Sequence, residues 1–538
     1  MRKKLWSKHT LLATLLALVL AMWMPCLAAA EEIGGDAGAA ADGAASADAA
    51  AGAEAQAGQP AAEAGPDAGS ADGAAATDAT AADAAAATDA DAEESGLATL
   101  AADNAGKAVK LLLKGQSGRY LSIVDFSLSA GAAVVVADGS SAAAQRFQLV
   151  SAGSGYYRVV NVASRKVLDV FGGQIAQGTA IIQWDQKSSG NLDNQLWKLK
   201  DNGDGSISLL SKADEAYCLE AAGSSVYLAS YSGGNTQRFV SEVVGRSVAD
   251  GLYRLNPKGN TSKSVDIYGN SSANVARAIV WTNNTGLNQR FQVKYDANSG
   301  YYTIVSASSL KALDVEGNST TSGAAVIQYT NSGAVNQLWD IRDMGSGNYA
   351  LYSARSGKAL DIEGANYESG KLLIWEYGGR DNQLFKLNTA PLIDDGLYNI
   401  NAPNSAVLDI QGAATTDGAK ALIWKPLDQW NQKFYIKLAS GNSYTIEAIH
   451  AAKYLSVNGS GNVVLGSAQK WTAESVGEGR LRFTNENGKV LDISGGSTDN
   501  GSTIVAAAAS GSSTQSWKLL PAELMSGGMY RFSLATNT

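Results

Sequence analysis

A short phrase, Gln followed by any residue and then by Trp or Phe, occurs nine times in this chain. Its Gln residues, which define units 1 to 9 in order, are Gln145, Gln195, Gln237, Gln289, Gln337, Gln383, Gln432, Gln469 and Gln515. The steps between them are 50, 42, 52, 48, 46, 49, 37 and 46 residues. A phrase that returns at such a period indicates one supersecondary unit used many times.

A longer period groups the nine units into domains. The segment 251–255, Gly-Leu-Tyr-Arg-Leu, returns 145 residues later as Gly-Leu-Tyr-Asn-Ile over 396–400. Short runs rich in Tyr, Val and Ile, such as 157–160, 301–305 and 444–446, stand between turn residues and predict strands. Three β-rich units that close on one core form a β-trefoil, which buries its sheet edges. We predict an all-β fold of three tandem β-trefoils, over 106–245, 246–391 and 392–524.

The remaining segments are predicted to lie outside these domains. Residues 1–30 have a basic start, a short apolar run and Ala28-Ala29-Ala30, which is typical of a secretory signal peptide. Residues 31–105 are rich in Ala, Gly and acids and predict a disordered linker, with an Ala-rich helix as the alternative. An imperfect further opening over 528–532 predicts that 525–538 begin an incomplete repeat or supply a strand that caps the third trefoil.

Charge and rare residues exclude several functions. With four positive charges in the signal and 16 negative charges in the linker, a net charge of −9 leaves the rest of the chain at +3. Such a chain has no basic field of the kind that nucleic acid requires. Beyond the signal the only Cys is Cys218 and the only His is His450, and packing is the expected role of both. We therefore predict no Ser-His-Asp triad, metal site or cofactor.

Five units carry a second pattern, in which an Asp is followed by an aromatic residue 14 or 15 positions later and by an Asn directly before the Gln. These triplets are Asp169, Trp184 and Asn194 in unit 2; Asp266, Trp281 and Asn288 in unit 4; Asp314, Tyr329 and Asn336 in unit 5; Asp361, Trp375 and Asn382 in unit 6; and Asp409, Trp424 and Asn431 in unit 7.

The other units lose the triplet largely as a set. Units 1, 3 and 8 have Ser122, Glu220 and Ser456 for the Asp, and Ala144, Thr236 and Ala468 before the Gln. Unit 9 keeps Asp492 but has Ala506 and Ala507 for the aromatic residue. The triplet positions are lost together while the Gln phrase is kept. This pattern favours a ligand site at the triplet. The Gln phrase itself favours a structural role, with the ring in the core and the amide bonded to a turn.

The chemistry of the triplet suits a neutral sugar. An ionised Asp accepts hydrogen bonds from adjacent hydroxyls, an Asn both donates and accepts, and an exposed ring covers the C–H face of a pyranose. The alternative is structural, because each Asp opens an Asp-apolar-x-Gly phrase that can form a turn, and the aromatic residues can fill the core. Every Trp beyond the signal except Trp430 belongs to the Gln phrase or to a triplet.

At these residues the chain resembles the ricin B-type lectin family, β-trefoils built on Gln-x-Trp repeats. The resemblance covers about residues 106–520. It implies that the Asp, the stacking aromatic residue and the Asn of each triplet hold galactose or a related sugar. It also implies that the neighbouring Gln assists, at Gln195, Gln289, Gln337, Gln383 and Gln432. The chain lacks the paired cysteines of many members, and in the first trefoil only unit 2 keeps the triplet.

We therefore predict a secreted, multivalent carbohydrate-binding protein, free or attached to the cell surface, that binds glycans of hosts or bacteria. We expect a monomer with no membrane insertion after signal cleavage and no enzyme activity, because one Asp repeated five times suits binding and glycoside hydrolysis needs a pair of acids. One alternative is the glycan-targeting region of a larger secreted glycoside or cell-wall hydrolase whose catalytic domain lies beyond residue 538. A structural stalk is another.

Overall fold

A computed structural model describes residues 106–523 of the chain. Within this range the chain forms strands and short turns, and it contains no α-helix. None of the described segments is a helix that is long and apolar enough to cross a membrane. The predicted signal peptide, the acidic linker and the incomplete repeat over 525–538 lie outside the described residues.

The first trefoil has twelve strands. They are β1 (Ala108–Leu113), β2 (Arg119–Ile123), β3 (Val134–Asp138), β4 (Phe147–Gly153), β5 (Tyr156–Asn161), β6 (Val167–Val170), β7 (Ile181–Trp184), β8 (Trp197–Asp201), β9 (Ser206–Ser211), β10 (Asp214–Ala222), β11 (Ser225–Ser230) and β12 (Phe239–Val243). Strands β1, β4, β5, β8, β9 and β12 pair in a closed antiparallel barrel. The others form three hairpins, β2–β3, β6–β7 and β10–β11, that also bridge one another.

The second trefoil repeats this plan. Its strands are β13 (Gly251–Pro257), β14 (Lys263–Ile267), β15 (Ala278–Thr282), β16 (Phe291–Asp296), β17 (Tyr301–Ser306), β18 (Ala312–Val315), β19 (Val326–Tyr329), β20 (Leu338–Asp343), β21 (Tyr349–Ser353), β22 (Ala359–Ile362), β23 (Leu372–Trp375) and β24 (Phe385–Thr389). The barrel strands are β13, β16, β17, β20, β21 and β24. The hairpins are β14–β15, β18–β19 and β22–β23.

The third trefoil has the same order. Its strands are β25 (Gly396–Asn401), β26 (Val407–Ile410), β27 (Ala421–Trp424), β28 (Phe434–Ser440), β29 (Ser443–Ala448), β30 (Lys453–Val457), β31 (Val463–Gly466), β32 (Trp471–Gly477), β33 (Arg480–Asn485), β34 (Val490–Ile493), β35 (Ile504–Ala507) and β36 (Lys518–Pro521). Its barrel closes through the pairing of β25 with β36 and a bridge from Leu481 to Trp517. The predicted all-β fold of tandem trefoils is confirmed.

Short 3-10 turns connect the strands and are of two kinds. Those that follow the second strand of a unit are Val124–Phe126, Phe171–Gly173, Tyr268–Asn270, Glu316–Asn318, Glu363–Ala365, Gln411–Ala413 and Ser494–Gly496. Those that end at a Gln of the repeated phrase are Ala143–Gln145, Asp193–Gln195, Asn235–Gln237, Leu287–Gln289, Val335–Gln337, Asp381–Gln383, Trp430–Gln432 and Ser513–Gln515. The repeated phrase therefore starts in a turn and continues into the next barrel strand.

The nine rings of the phrase form the centre of the cores. Each is fully buried, at 0% exposure, and they are Phe147, Trp197, Phe239, Phe291, Trp339, Phe385, Phe434, Trp471 and Trp517. They belong to three separate apolar clusters, one in each trefoil. Burial of such a ring stabilises the fold by about 1.5–3 kcal/mol. The prediction that these rings fill the core is confirmed.

The Gln of the phrase bonds the backbone of its own unit. In units 1, 2, 3, 4, 5, 6, 7 and 9 its Oε1 accepts from a backbone N–H at 2.7–2.9 Å, and its Nε2 donates to a backbone carbonyl at 2.7–3.0 Å. The predicted tie between the Gln and a turn is confirmed there. In unit 8, Gln469 is half-buried and instead accepts from the N–H of Val457, twelve residues earlier, at 2.9 Å.

Buried arginines join the trefoils. Arg146 of unit 1 bonds Asp340 of the second trefoil at 2.8 Å and stacks on Tyr301, with 3.5 Å from its guanidinium carbon to the ring centroid. Arg290, at the same position of unit 4, bonds Asp394 at 2.6 Å and the carbonyl of Pro391 at 2.8 Å, in the segment that leads to the third trefoil. A buried charge without its partner is costly, so these contacts oppose separation of the domains.

Cys218 has the buried surroundings that the sequence predicts, whereas His450 is only partly buried. Cys218 is buried, and this burial raises the pKa of its thiol to about 12, which leaves it protonated and unreactive at neutral pH. His450 is half-buried, with its Nε2 atom 3.1 Å from the carbonyl oxygen of Ala414.

One loop position in the hairpins requires a left-handed backbone. Its N–H bonds the backbone of a neighbouring unit at 2.8–2.9 Å, and it is occupied by Gly131, Gly178, Gly323, Gly418 and Gly501, with φ between +83° and +89°. In unit 4 the same position holds Val275, at φ +66° and 49% exposed. A β-branched residue in this region is strained.

We expect Val275→Gly to stabilise the second trefoil by about 1 kcal/mol. The strain released is about 1–3 kcal/mol, and the added freedom of the unfolded glycine offsets about 0.4–1 kcal/mol of it. Differential scanning calorimetry measures the change. Gly178→Val is the matched control, because no atom lies within 4 Å of a Cβ at that position, and it should lower the Tm. A Val275→Gly protein that melts below the parent would show that this backbone is not strained.

Candidate functional site

Each triplet Asp stands at the third or fourth position of the second strand of its unit, directly before a 3-10 turn. The turn contains the Gly of the Asp-apolar-x-Gly phrase, at φ between +60° and +66° in the five triplet units. Glycine adopts this conformation without steric cost. The phrase therefore forms the turn that sequence predicts, and it brings the Asn-Gln pair of the later turn beside the Asp.

The five carboxylates are buried and are held by amides. They are 3–7% exposed. The Asn donates to the Asp at 2.9 Å in units 2, 4, 5 and 6, and the Gln donates to it at 2.8–2.9 Å in units 2, 4, 5 and 7. Each Asn also donates to the carbonyl of the residue after the Asp, at 3.0–3.2 Å. The Asp therefore bonds these amides rather than its own turn.

In units 2, 4, 5 and 7 both amide hydrogens of the Gln are used, one by the backbone and one by the Asp. These Gln residues are buried. Gln145 makes the same backbone contacts in unit 1, where Ser122 replaces the Asp. The Gln therefore serves the fold first, and it orients the carboxylate where one is present.

The aromatic residues of the triplets lie on the surface. Each pairs across its hairpin with the residue two positions before the Asp. Trp184, Trp281, Tyr329 and Trp375 are 42–49% exposed, and Trp424 is half-buried. None of the five belongs to a buried core cluster. The alternative that these residues fill the core is therefore wrong.

The units that lack the full triplet have a small residue at the position of the aromatic residue, although Tyr120 and Tyr454 lie opposite that position in units 1 and 8. Pairing places Ala137, Ala229, Gly466 and Ala507 at the position of the aromatic residue in units 1, 3, 8 and 9. Three of the tryptophans also rest on a glycine of a neighbouring unit. A Cβ at Gly131, Gly323 or Gly501 would lie 3.4–3.5 Å from the ring of Trp184, Trp375 or Trp424. Each of these sites is therefore built from two units of the trefoil.

Surface hollows open above the Asp in units 4, 6 and 7. Their volumes are about 390, 780 and 500 Å³. The Asp, the aromatic residue and the Asn line each one, so the structure brings the predicted triplets together. The described residues contain no group of three or more His, Cys, Asp or Glu side chains that could hold a metal ion.

Burial shapes the electrostatics of the sites. Desolvation raises the pKa of Asp266 to about 6, although hydrogen bonds from Gln289 and Asn288 oppose the shift. The pKa values of Asp169, Asp314, Asp361 and Asp409 are raised for the same reason. In unit 2, Lys187 opposes the shift, and its Nζ donates to the Oδ1 atom of Asn194 at 2.7 Å.

Unit 3 keeps more of the pattern than its sequence suggests. Glu220 accepts from the hydroxyl of Thr236 and from the amide of Gln237, both at 3.0 Å. A longer acid and a hydroxyl thus reproduce the network without a ring. Comparison of the repeats predicted that unit 3 has lost the triplet, because its residue types differ from those of the other units. The hydrogen bonds nevertheless persist.

Sequence reasoning missed one position at the sites, the third residue of the Asp-apolar-x-Gly phrase. It is the first residue of the 3-10 turn, and it is Phe171, Tyr268, Glu316, Glu363 and Gln411 in the five triplet units. Tyr268, Glu363 and Gln411 line the hollows of units 4, 6 and 7. The signal was the varied residue inside an otherwise constant phrase.

The fold and these repeated polar and aromatic sites define a lectin-type β-trefoil protein. A family model described as ricin-type beta-trefoil lectin domain-like matches residues 99–184, 287–376, 381–468 and 467–537. A second, described as ricin-type beta-trefoil lectin domain, matches residues 155–291. The chain belongs to the ricin-type β-trefoil lectin family, as the resemblance predicted. Domains of this family bind carbohydrate and are not catalytic.

Several solved structures are similar to this chain. A mosquitocidal holotoxin is 19% identical over 77% of this chain and 51% of its own, with a TM-score of 0.37, so this chain spans about half its length. The designed three-fold symmetric protein ThreeFoil is 40% identical over 26% of this chain and 100% of its own, with a TM-score of 0.25. The Rhizoctonia solani agglutinin is 19% identical over 27% and 99%, also with a TM-score of 0.25. No curated protein sequence matches the chain.

We expect the raised pKa of Asp266 to make the native state less stable as pH rises from about 4 to about 6. The native carboxyl holds a proton through this window that the unfolded chain, with a pKa near 3.9, has released, so the free energy of unfolding falls. Asp266→Asn removes this titration. The variant should therefore gain about 2–3 kcal/mol on the parent between pH 4 and pH 7. Chemical denaturation across this range measures the difference, and parallel curves would contradict the shift.

Proposed function

We propose that this protein is a secreted, multivalent lectin whose five triplet sites bind neutral, galactose-type sugars of extracellular glycans. The observation that carries the proposal is the repeated geometry. In five units a buried Asp is held by Asn or Gln amides below an exposed or half-buried ring, whereas the units that lack the Asp have Ala or Gly at the position of that ring.

The Asp retains the capacity to accept sugar hydroxyls. A carboxylate has about four acceptor positions. In units 2 and 5 the Asn and the Gln of the site occupy one position on each oxygen, and in unit 4 both occupy Oδ2 of Asp266. The amides also hold the carboxylate in one orientation, so a ligand does not have to order it. The Gln residues are therefore positioning residues in this proposal.

The ring supplies the apolar half of the site. A pyranose has a C–H face that packs on an aromatic surface, and the rings of Trp184, Trp281 and Trp375 are nearly half exposed. The glycines beside Trp184 and Trp375 leave no side chain to displace the ring. A tryptophan has only two side-chain torsions, so it offers a large contact area with a small loss of conformational entropy on binding.

One such site binds weakly, and the array compensates. A hydrogen bond to a charged group contributes about 1.5–3 kcal/mol, so a shallow site with few bonds has a Kd near the millimolar range, or about 4 kcal/mol. Five sites on one chain raise the avidity for a repeated glycan by roughly 10²–10⁴. A weak single site and a tight array are therefore both expected.

A glycan array tests the proposal with the full chain and two variants. The first variant changes the five aromatic residues to Ala, at Trp184, Trp281, Tyr329, Trp375 and Trp424. The other four units have Ala or Gly at the same position, so the fold tolerates a small residue there. The second changes the five Asp residues to Ala. We expect the parent to bind galactose-terminated glycans and both variants to lose the binding by at least a hundredfold, because the first variant removes the apolar face of every site and the second removes a charged acceptor that contributes about 1.5–3 kcal/mol per hydrogen bond.

Asp492→Ala is the matched control. It removes an Asp that accepts from Gln515 at 2.9 Å but that faces no aromatic residue, so it should keep the parent's binding. Circular dichroism is the check that each variant is folded. A folded aromatic variant that binds as the parent does would place the sugar sites elsewhere. A parent that binds no glycan on a broad array would refute the proposed function.

A further inference from the structure

The five sites share one backbone but differ in a single side chain at their edge. The N–H of Phe171, Tyr268, Glu316, Glu363 or Gln411 donates to a hairpin carbonyl at 2.9–3.0 Å in every site. The carbonyl before it accepts from the site Asn, and the Gly after it has a positive φ. The main chain is thus fixed on both sides, and the side chain has one origin in all five sites. We name this position the wall residue.

The wall residue divides the sites by chemistry. Phe171 and Tyr268 are among the most exposed large apolar side chains of the described residues, at 56% and 65%. Units 5 and 6 have Glu316 and Glu363 there, and unit 7 has Gln411. In unit 4, Tyr268 and Trp281 line one hollow. The other residues that line it are neutral, except for Asp266. In unit 6, the charged side chains of Glu363, Glu376 and Arg380 line the hollow of Asp361 and Trp375.

We propose that the wall residue sets the specificity of each site, so that the five sites are not equivalent. Units 2 and 4 have an aromatic wall and select sugars with an apolar substituent, whereas unit 6 has a charged wall and selects the unsubstituted, hydroxyl-rich sugar. This inference rests on the proposed function, because it assigns the substituent class that each sugar site accepts.

The physical reason is that an apolar substituent is stabilised by contact with an aromatic ring, whereas contact with a carboxylate removes water from the charge. An acetyl methyl or a phenyl ring that contacts Tyr268 leaves water for an apolar surface, which is favourable. The same group against Glu363 would remove water from a carboxylate without giving it a hydrogen bond, which is unfavourable. Glu316 is half-buried and lies 3.6 Å from Arg277, so unit 5 is a less clean example than unit 6.

The test uses full-length chains that keep one complete site. Changing the triplet aromatic residue to Ala in units 2, 5, 6 and 7 leaves unit 4, and the same change in units 2, 4, 5 and 7 leaves unit 6. The probes are galactose, N-acetylgalactosamine and phenyl β-galactoside, titrated by NMR. We expect the unit 4 chain to bind at least one substituted sugar about tenfold more tightly than galactose, equivalent to 1.4 kcal/mol. The unit 6 chain should not show this preference.

Exchange of the wall residues decides the inference. Tyr268→Glu should abolish the preference of the unit 4 chain, and Glu363→Tyr should create it in the unit 6 chain. Both side chains are exposed, so the exchanges should leave the Tm unchanged. Binding with preferences that do not follow the exchange would overturn the role of the wall residue and leave the lectin function intact. Chains that bind none of the three sugars would instead contradict the proposed function.

Discussion

The side-chain amide of the repeated Gln is the interaction on which this structure depends. In eight units it bonds one backbone N–H and one backbone carbonyl, and two residues later the chain places an aromatic ring in the core. Loss of a buried hydrogen-bonding partner costs about 1–3 kcal/mol, so each unit has a strong reason to keep the Gln. Unit 1 keeps the contacts without a site Asp, which shows that they belong to the fold.

The same amide also links the fold to the sites. Its second hydrogen points to the position of the triplet Asp, and in unit 3 it bonds Glu220 instead. A unit can therefore lose its ring and its acid and remain folded, as unit 1 does with Ala137 and Ser122. The cost of a site is local, because burial raises the pKa of carboxylates such as Asp266 and disfavours their charged form. Functional sites often carry such a local cost.

The sequence predicted the structural features that recur with the repeated Gln phrase. Nine buried rings, three trefoils and four clearly exposed site aromatics follow from one pattern compared across units. The exceptions arise where equivalent positions of the repeats have different structural contacts. Gln469 stands in the shortest step, 37 residues, and bonds Val457 instead of the usual turn. Val275 adopts a glycine conformation because its loop bonds the next unit, a contact that its own residue type does not reveal.

Coupling between the trefoils bears on how an array of weak sites recognises a glycan. Arg146 and Arg290 are buried between domains, and separation would leave their partners, Asp340 and Asp394, without these ion pairs. A flexible linker would let the sites adapt to many spacings, whereas firmly joined domains favour glycans whose repeat matches the separation of the sites. The second trefoil holds three of the five triplets, so under the proposed function it would supply most of the avidity. The single triplets of the outer trefoils would then make binding sensitive to the spacing of the sugars.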